Sequence, residues 1–374
     1  MKIAFVDLGQ LAYSPLTPYE RPLGGTESAV CYLASELARN GHEIALVNRL
    51  DGAPGAYAGV VCPGAVDGFK ADFLNSFDSV VALNRAQGIR LRTMNVTTRM
   101  VLWSQHAANE TFVASLRDAT ERASWNAFAL VSDWQAESYV EAFGIDRDRI
   151  SVKRNAASPP FESVERSGLP FFRRDYPPVL AYTSTPNRGL EKLLLAFPTI
   201  RRLVPGCRLK VFSSMKTYQA RDRYRVLYDL CAALPGVDYV GSVSQKALAE
   251  ELRGIDILSY PNTFPETSCI AVMEAMAAGC LVLTSTLGAL PETTAGYGLL
   301  LPPGNHGIVW ASDYAQMVGD VIQEARKEPD KVETLLRDQT AHARANYTWK
   351  NRAREWAAWL SGLQSGAPGK ASIG

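Results

Sequence analysis

The chain has 374 residues, of which 47% are hydrophobic, and a formal net charge of +1. This length is typical of two domains, and the hydrophobic content is sufficient for two cores. The near-neutral charge lacks the strongly basic footprint of a DNA- or RNA-binding domain, so we expect no nucleic-acid partner.

The cysteines and the N-terminus bear on the cellular compartment. The six cysteines lie in apolar contexts without a C-x-x-C pair, which is typical of buried thiols in a reducing environment. The start MKIAFVD reaches an acid after four apolar residues, and no later run approaches the roughly 18 residues that span a bilayer. We therefore expect a cytoplasmic protein without a transmembrane anchor.

The first half of the chain alternates short apolar runs with helical periodicity. An apolar strand at 2–7, a helix at 26–39 and a strand at 43–47 form a predicted βαβ unit. Further strands are predicted at 78–83, 99–103, 126–132 and in the run RISVKR. The pattern predicts a Rossmann-like, doubly wound parallel sheet over residues 1–157.

A connection of about 18 residues joins the first strand to the first helix, whereas such loops usually have two to six. Gly24 and Gly25 stand at the helix start, where a phosphate or sugar can approach the backbone N–H groups closely. The Walker sequence G-x-x-x-x-G-K-[ST] and the dinucleotide fingerprint G-x-G-x-x-G are both missing there. The glycine pair is therefore either a ligand-facing turn or a simple flexible turn.

A proline-rich segment separates two halves of the chain. Residues 158–177 have little periodicity and predict an exposed linker. A second series of strands and helices follows over residues 178–345, and its strands lack polar alternation, as strands covered on both faces do. A last helix at 346–364 carries three tryptophans, which could complete the second core; we expect it to pack back towards the N-terminal domain. Residues 365–374 predict a flexible tail.

The segment FPETSCIAVMEAMAAGC carries the most information about function. Glu266 lies just before a predicted helix and Glu274 on its second turn, and between them point the free N–H groups of the helix start. These groups and the macrodipole favour a phosphate. Carboxylates for sugar and ribose hydroxyls, flanking a phosphate cradle, suit a nucleotide diphosphate sugar. The alternative for Glu274 is a solvated helix residue.

These motifs resemble a known family. The quoted segment, GGTES…LASELARNGHEIALV, VLWSQHAANE and STPNRGLEKLLLAFP are similar to retaining glycosyltransferases of the two-Rossmann-domain (GT-B) type, family 4 or group 1. This group includes bacterial lipopolysaccharide and mannosyl transferases and sucrose synthases. The resemblance runs nearly end to end. It implies an α/β fold with two Rossmann-like doubly wound parallel-sheet domains facing a cleft, the N-terminal one on the acceptor side.

The resemblance also implies roles for individual residues. Glu266 would contact hydroxyls of the donor sugar, and Glu274 would contact the ribose. Arg188 stands where the family places a lysine beside the diphosphate, and His106 would lie by the donor sugar at the reaction centre. The implied catalytic residues are His106, Glu266 and Arg188, and further implied donor-binding residues are Gly24, Gly25, Thr267, Ser268 and Cys269.

One departure from the family pattern concerns the diphosphate. The family commonly has a second basic residue shortly before the position of Arg188, where this chain reads Tyr182-Thr183-Ser184. Lys216, which follows the run RLKVFSS, is our first candidate for the missing charge. Lys153 and Arg154 are alternatives between which the sequence does not choose.

The resemblance implies a metal-independent retaining transferase that uses a nucleotide diphosphate sugar as donor substrate, has no cofactor and serves polysaccharide biosynthesis. The acceptor would be a glycan or a lipid-linked molecule. An excess of arginines between residues 79 and 109 could face an anionic lipid-linked acceptor or give peripheral contact with the inner face of the membrane; a solvated basic face is the alternative. A phosphorylase-like enzyme and a non-catalytic nucleotide-sugar-binding protein remain alternative functions, and the missing fingerprint argues against a nicotinamide-dependent oxidoreductase.

Overall fold

A computed structural model of the protein describes residues 1–218, 222–302 and 308–364. The described chain divides into two compact units: the first comprises residues 1–20, 24–156 and 349–364, and the second comprises residues 21–23 and the described part of 157–348. The predicted flexible tail, 365–374, lies outside the described residues.

The first unit contains a sheet whose central strands are almost wholly apolar. Its strands are β1 (Lys2–Asp7), β2 (Glu43–Val47), β3 (Gly55–Tyr57), β4 (Val60–Cys62), β5 (Ser79–Leu83), β6 (Arg99–Ser104), β7 (Ala127–Leu130) and β8 (Ile150–Val152). They lie in the order β3-β4-β2-β1-β5-β6-β7-β8, and all neighbours are parallel except β3 and β4. Such a sheet needs helical crossovers that cover both faces.

The helices of the first unit are α1 (Thr17–Glu20), α2 (Gly25–Arg39), α3 (Gly64–Gly68), α4 (Ala71–Asn75), α5 (Gly88–Thr93), α6 (Ala119–Ser124), α7 (Asp133–Phe143) and the C-terminal α15 (Trp349–Gln364). The ring of Trp356 on α15 lies 6.3 Å from the ring of Phe5 and 5.0 Å from that of Trp103. Trp356 is completely buried. The last helix therefore contributes its aromatic face to the core of the first unit.

The second unit repeats the alternation with a smaller, fully parallel sheet. Its strands are β9 (Val179–Tyr182), β10 (Arg208–Val211), β11 (Val237–Tyr239), β12 (Ile257–Ser259), β13 (Leu281–Ser285) and β14 (Leu299–Leu301), in the order β11-β10-β9-β12-β13-β14. Its helices are α8 (Leu190–Leu203), α9 (Arg225–Ala233), α10 (Gln245–Leu252), α11 (Ile270–Ala277), α12 (Leu290–Thr294), α13 (Ile308–Lys327) and α14 (Pro329–Asn346). Two parallel-sheet units confirm the predicted fold class.

The segment predicted as an exposed linker, 158–177, instead lies within the second unit. Phe161, Phe171 and Phe172 are buried there. Arg174 donates to the fully buried carboxylate of Asp256 at 2.7 Å. The prolines do interrupt regular structure, but the aromatic residues between them gain from burial, so the segment packs as a strap on the second unit.

Candidate functional site

The candidate site in the second unit begins where β12 ends. The chain continues from Ser259 through an irregular loop that carries Glu266, and α11 then starts at Ile270. The Glu266 carbonyl accepts from the Ala289 N–H at 2.7 Å. Gly288 has a φ of +67°, and a Cβ there would collide with the backbone of Glu266. The close approach of this glycine therefore fixes the backbone that carries the glutamate.

The carboxylate of Glu266 is almost fully buried and accepts three hydrogen bonds from two donor groups. Nη1 of Arg188 lies 2.7 Å from Oε1 and 2.8 Å from Oε2, and the Tyr260 hydroxyl donates to Oε1 at 2.5 Å. The Arg188 guanidinium also lies 4.6 Å from the centroid of the Phe264 ring. The two predicted catalytic residues of this unit are thus joined in one ion pair, in which Glu266 is buried and Arg188 is partly exposed.

Glu274 lies on the second turn of α11 and is 2% exposed, so it is not a solvated helix residue. Ser158 Oγ donates to its Oε1 at 2.5 Å. Burial raises the pKa of the Glu274 carboxyl from 4.5 to about 7, although the hydrogen bonds from Ser158 act in the opposite direction. Sequence reasoning missed Ser158, because it lies in the proline-rich segment that predicted a linker.

The N-cap residue of α11 is Cys269, whose side chain makes no capping hydrogen bond. Ser268 Oγ is buried and has no hydrogen-bond partner among the described residues. N–H groups at a helix start, with the positive end of the macrodipole, suit an anionic ligand.

The candidates for a second cation are spread over both units. Lys216 is an exposed residue of a 3₁₀ turn, Met215–Tyr218, in the second unit. In the first unit, Lys153 is buried with its Nζ 5.1 Å from the Trp359 ring, and Arg154 donates to Asp133 at 2.6 Å. Lys153 and Arg154 therefore serve contacts of the first unit.

Hydroxyl groups lie at and beside positions 182–184, where the family pattern has a second base. Thr183 and Thr185 both have a buried Oγ1 without a hydrogen-bond partner in the described part of the chain. The Ser184 hydroxyl lies 3.4 Å from that of Tyr260, which itself binds Glu266. These side chains can donate hydrogen bonds to phosphate oxygens but carry no charge.

His106 lies in the first unit, just past the end of β6. Its N–H donates to Ser104 Oγ at 3.2 Å, and its carbonyl accepts from Gln135 Nε2 at 2.8 Å and from the Tyr139 hydroxyl at 2.9 Å. The imidazole stacks on the Phe112 ring with the centroids 4.9 Å apart. The backbone of His106 is therefore held firmly, by partners that the sequence did not reveal.

Gly24 and Gly25 lie at the start of α2, at the same edge of the first sheet. Gly24 is the N-cap and, without a side chain, offers no side-chain cap to this helix start. Asn84 Nδ2 donates to Thr26 Oγ1 at 3.1 Å, and Asn84 Oδ1 accepts the Gln105 N–H at 2.8 Å. The predicted residues of the first unit are thus brought to one edge. The full predicted set forms two groups, one in each unit.

Not every arginine of the stretch 79–109 contributes to a basic surface. The guanidinium of Arg92 donates to the carbonyls of Ser124, Val96 and Thr98 at 2.8 to 3.1 Å, and burial lowers its pKa. Arg92 therefore stabilises the fold through these three carbonyls.

Across the described residues, no helix is long and apolar enough to cross a membrane, and no three His, Cys, Asp or Glu side chains are grouped as a metal site.

Comparisons with known proteins agree with this architecture. Residues 177–320 match the family model described as "Glycosyl transferases group 1". The chain is 26% identical over 210 residues to the GDP-mannose-dependent monoacylated alpha-(1-6)-phosphatidylinositol monomannoside mannosyltransferase of Corynebacterium glutamicum, covering 54% of this chain and 51% of that protein.

It is also 27% identical over 190 residues to the lipopolysaccharide 1,2-N-acetylglucosaminetransferase of Salmonella typhimurium, covering 48% of this chain and 46% of that protein. The chain thus spans about half the length of the curated relatives it matches. A solved glycosyltransferase structure from Rickettsia africae has a TM-score of 0.73 with 14% identity, covering 97% of this chain and 98% of that one. This likeness confirms the two-domain GT-B fold.

Proposed function

We propose that the protein moves a sugar from a nucleotide diphosphate sugar to a hydroxyl of a glycan or lipid-linked acceptor, because residues 177–320 of the second unit match the model of group 1 glycosyl transferases. We further propose that the anomeric configuration is retained and that no metal ion is needed. The mannosyl and N-acetylglucosaminyl transferases named above support a sugar donor and a glycan or lipid acceptor.

The observation that carries the proposal is the grouping around α11. The buried Glu266 carboxylate, oriented by Arg188 and Tyr260, can accept hydrogen bonds from sugar hydroxyls. The uncapped helix start can hold phosphate oxygens. Glu274, four residues into the helix, can accept from ribose hydroxyls. One short segment therefore serves all three parts of the donor.

The chemistry requires stabilisation of the leaving group. The bond between the anomeric carbon and the β-phosphate oxygen breaks, and a bond to the acceptor oxygen forms on the same face. The acceptor proton passes to the departing phosphate. Negative charge that develops on this phosphate meets the helix start and the guanidinium of Arg188, both fixed before the reaction begins.

The thermal shift of the protein with UDP, GDP and NAD, followed by the matching sugar nucleotides, tests the proposal. We expect a uridine or guanosine diphosphate to raise the melting temperature, because ligand binding stabilises the folded state. Stabilisation by NAD alone would contradict the proposal. Nucleotide binding without donor turnover would favour the non-catalytic alternative.

The variant Glu266→Ala should abolish transfer while the protein stays folded, because the sugar loses its hydroxyl acceptor and Arg188 loses its carboxylate. Donor consumption measured by nucleotide release is the assay. Glu324→Ala, at an exposed position on α13, is the matched control and should keep full activity. Undiminished turnover by folded Glu266→Ala would refute the assignment of the site.

A further inference from the structure

A second group of ionisable side chains lies in the first unit at the carboxyl end of β1, and the reaction outlined above does not use it. Asp7 is the last residue of β1; its Oδ1 accepts the Gly9 N–H at 2.7 Å and its Oδ2 accepts the Tyr13 hydroxyl at 2.8 Å. Glu27 lies in the first turn of α2, directly after the glycine start. Two carboxyl groups that interact electrostatically thus lie at the edge where parallel sheets bind ligands.

Two buried side-chain oxygens, one of Glu27 and one of Asn48, have no hydrogen-bond partner among the described residues. The Glu27 oxygen is Oε2. Asn48, which follows β2 and is 1% exposed, donates through Nδ2 to the Tyr13 carbonyl at 2.8 Å, yet its Oδ1 is buried and equally without a partner within the described ranges. Buried oxygens in native proteins are almost always hydrogen-bonded. Glu27 interacts electrostatically with Asp7 and Tyr13, and Asn48 is bonded to the Tyr13 carbonyl, so two unpartnered oxygens near Tyr13 point to a ligand that donates hydrogen bonds.

Charge restricts the class of ligand. Burial, and then the charge of Asp7, raise the pKa of the Glu27 carboxyl to about 7, and burial raises the pKa of Asp7 although Arg85 and the two hydrogen bonds lower it. Tyr13 and Arg85 act on Asp7, and the buried Cys31 thiol and the Tyr13 hydroxyl in turn feel the charge of both carboxyl groups. A phosphate or carboxylate beside two carboxyl groups would meet like charge, whereas a neutral hydroxyl donates to them without that penalty.

We propose that Asp7, Glu27 and Asn48 form a subsite for an uncharged, hydroxyl-bearing part of the acceptor. This inference rests on the proposed glycosyl transfer. It assigns the acceptor hydroxyls to this edge of the first unit and excludes an anionic group of the acceptor from it. Asp7 and Asn48 are positioned by Tyr13, which contacts both, and Glu27 is positioned by the glycine start of α2.

Binding of neutral and phosphorylated sugars to the 374-residue protein tests this directly. Methyl α-D-mannopyranoside, methyl α-D-glucopyranoside and myo-inositol are the neutral probes, and mannose 6-phosphate and glucose 6-phosphate are the charged ones. Saturation-transfer NMR with the wild type should detect at least one neutral probe. The variant Glu27→Gln keeps the shape of the side chain. The dissociation constant of the neutral probe should rise on the order of tenfold in this variant, as for the loss of one hydrogen bond to a charged group.

Asn48→Ala is a second, independent variant and should weaken the same probe. Glu43→Gln is the matched control, since Glu43 is an exposed residue of β2 in the same unit and should leave the probe unaffected. A further readout is pH: binding to the wild type should tighten as the pH rises through about 7, where Glu27 becomes a charged acceptor, and should be flat in Glu27→Gln.

Unchanged affinity in both Glu27→Gln and Asn48→Ala, no binding of any neutral probe to the wild type, or a preference for the phosphorylated probes would each overturn the proposal. Failure of the proposed function looks different. In that case no nucleotide raises the melting temperature of the wild type and no donor is consumed, whatever the neutral sugars do.

Discussion

Replacing Glu274 by glutamine should remove a pH dependence of stability that the buried carboxyl creates. The pKa of Glu274 is raised from 4.5 to about 7, chiefly by burial. A difference of one unit between the pKa in the folded state and that in the unfolded state corresponds to about 1.4 kcal/mol, so the rise from 4.5 to about 7 corresponds to about 3 kcal/mol. The folded state therefore holds this proton more tightly than the unfolded state does between pH 4.5 and 7.

The sign follows from proton linkage. Because the folded protein binds more protons in this window, the contribution of Glu274 to the free energy of unfolding falls as the pH rises from 4.5 to 7 and stays low above it. Glutamine does not titrate. The difference in unfolding free energy between Glu274→Gln and the wild type should therefore shift in favour of the variant by about 3 kcal/mol between pH 4.5 and 8.

The substitution also changes the unfolding free energy by an amount that does not depend on pH. Ser158 Oγ, 2.5 Å from Oε1, can still donate to an amide oxygen, but the new NH₂ group needs an acceptor in a buried place and costs about 1 to 3 kcal/mol if it finds none. That cost is independent of pH, so the slope and not the absolute difference is the test. Urea unfolding followed by circular dichroism at several pH values measures it.

The matched control is Glu324→Gln on α13, an exposed position where the difference from the wild type should not vary with pH. If the difference in unfolding free energy between Glu274→Gln and the wild type stays constant from pH 4.5 to 8, the pKa of Glu274 is not raised in the folded protein and the reasoning is wrong. Nucleotide affinity should move in the opposite direction to stability at pH 8, because the amide loses the charge that strengthens hydrogen bonds from ribose hydroxyls.

Two further predictions concern a buried lysine in the first unit and a glycine that packs against Glu266 in the second unit. Lys153 is 8% exposed, and burial lowers its pKa from 10.5 to about 8, so the stability of the wild type should rise with pH between 8 and 10.5. Lys153→Met should therefore stabilise the protein at pH 7 by up to about 3 kcal/mol. Thermal unfolding at pH 7 and at pH 10 should show that this gain is smaller at pH 10. Gly288→Ala should displace the Glu266 backbone, because a Cβ collides with it and the φ is positive. Donor turnover should then fall at least tenfold while the nucleotide thermal shift persists; normal turnover would contradict the role given to Gly288.

The local features of the fold could be predicted from the sequence. Apolar runs separated by helical periodicity located most strands of both sheets, and the run after Cys269 correctly placed Glu266 before a helix and Glu274 on its second turn. These features depend on residues close together in the chain. The short antiparallel pair β3 and β4 was not predicted, since three-residue strands leave almost no periodic signal.

The contacts that build the site could not be predicted in the same way. Arg188 and Glu266 are 78 positions apart, and Ser158 and Glu274 are 116 positions apart. No local pattern specifies such pairs, because they depend on how strands are ordered in the sheet. The strap over Asp256 is a similar case: its prolines predicted exposure, while its buried partners lie far along the chain.

Both units share a costly arrangement that is best explained by ligands. The helices α2 and α11 each begin without a side-chain cap, at Gly24 and at Cys269. Each also carries a carboxyl, Glu27 or Glu274, whose pKa burial raises to about 7. Caps and solvated carboxyls would make either unit more stable. A polar substrate that fills such a site supplies the missing hydrogen bonds, so the free energy that folding forgoes at these two helix starts is available for binding.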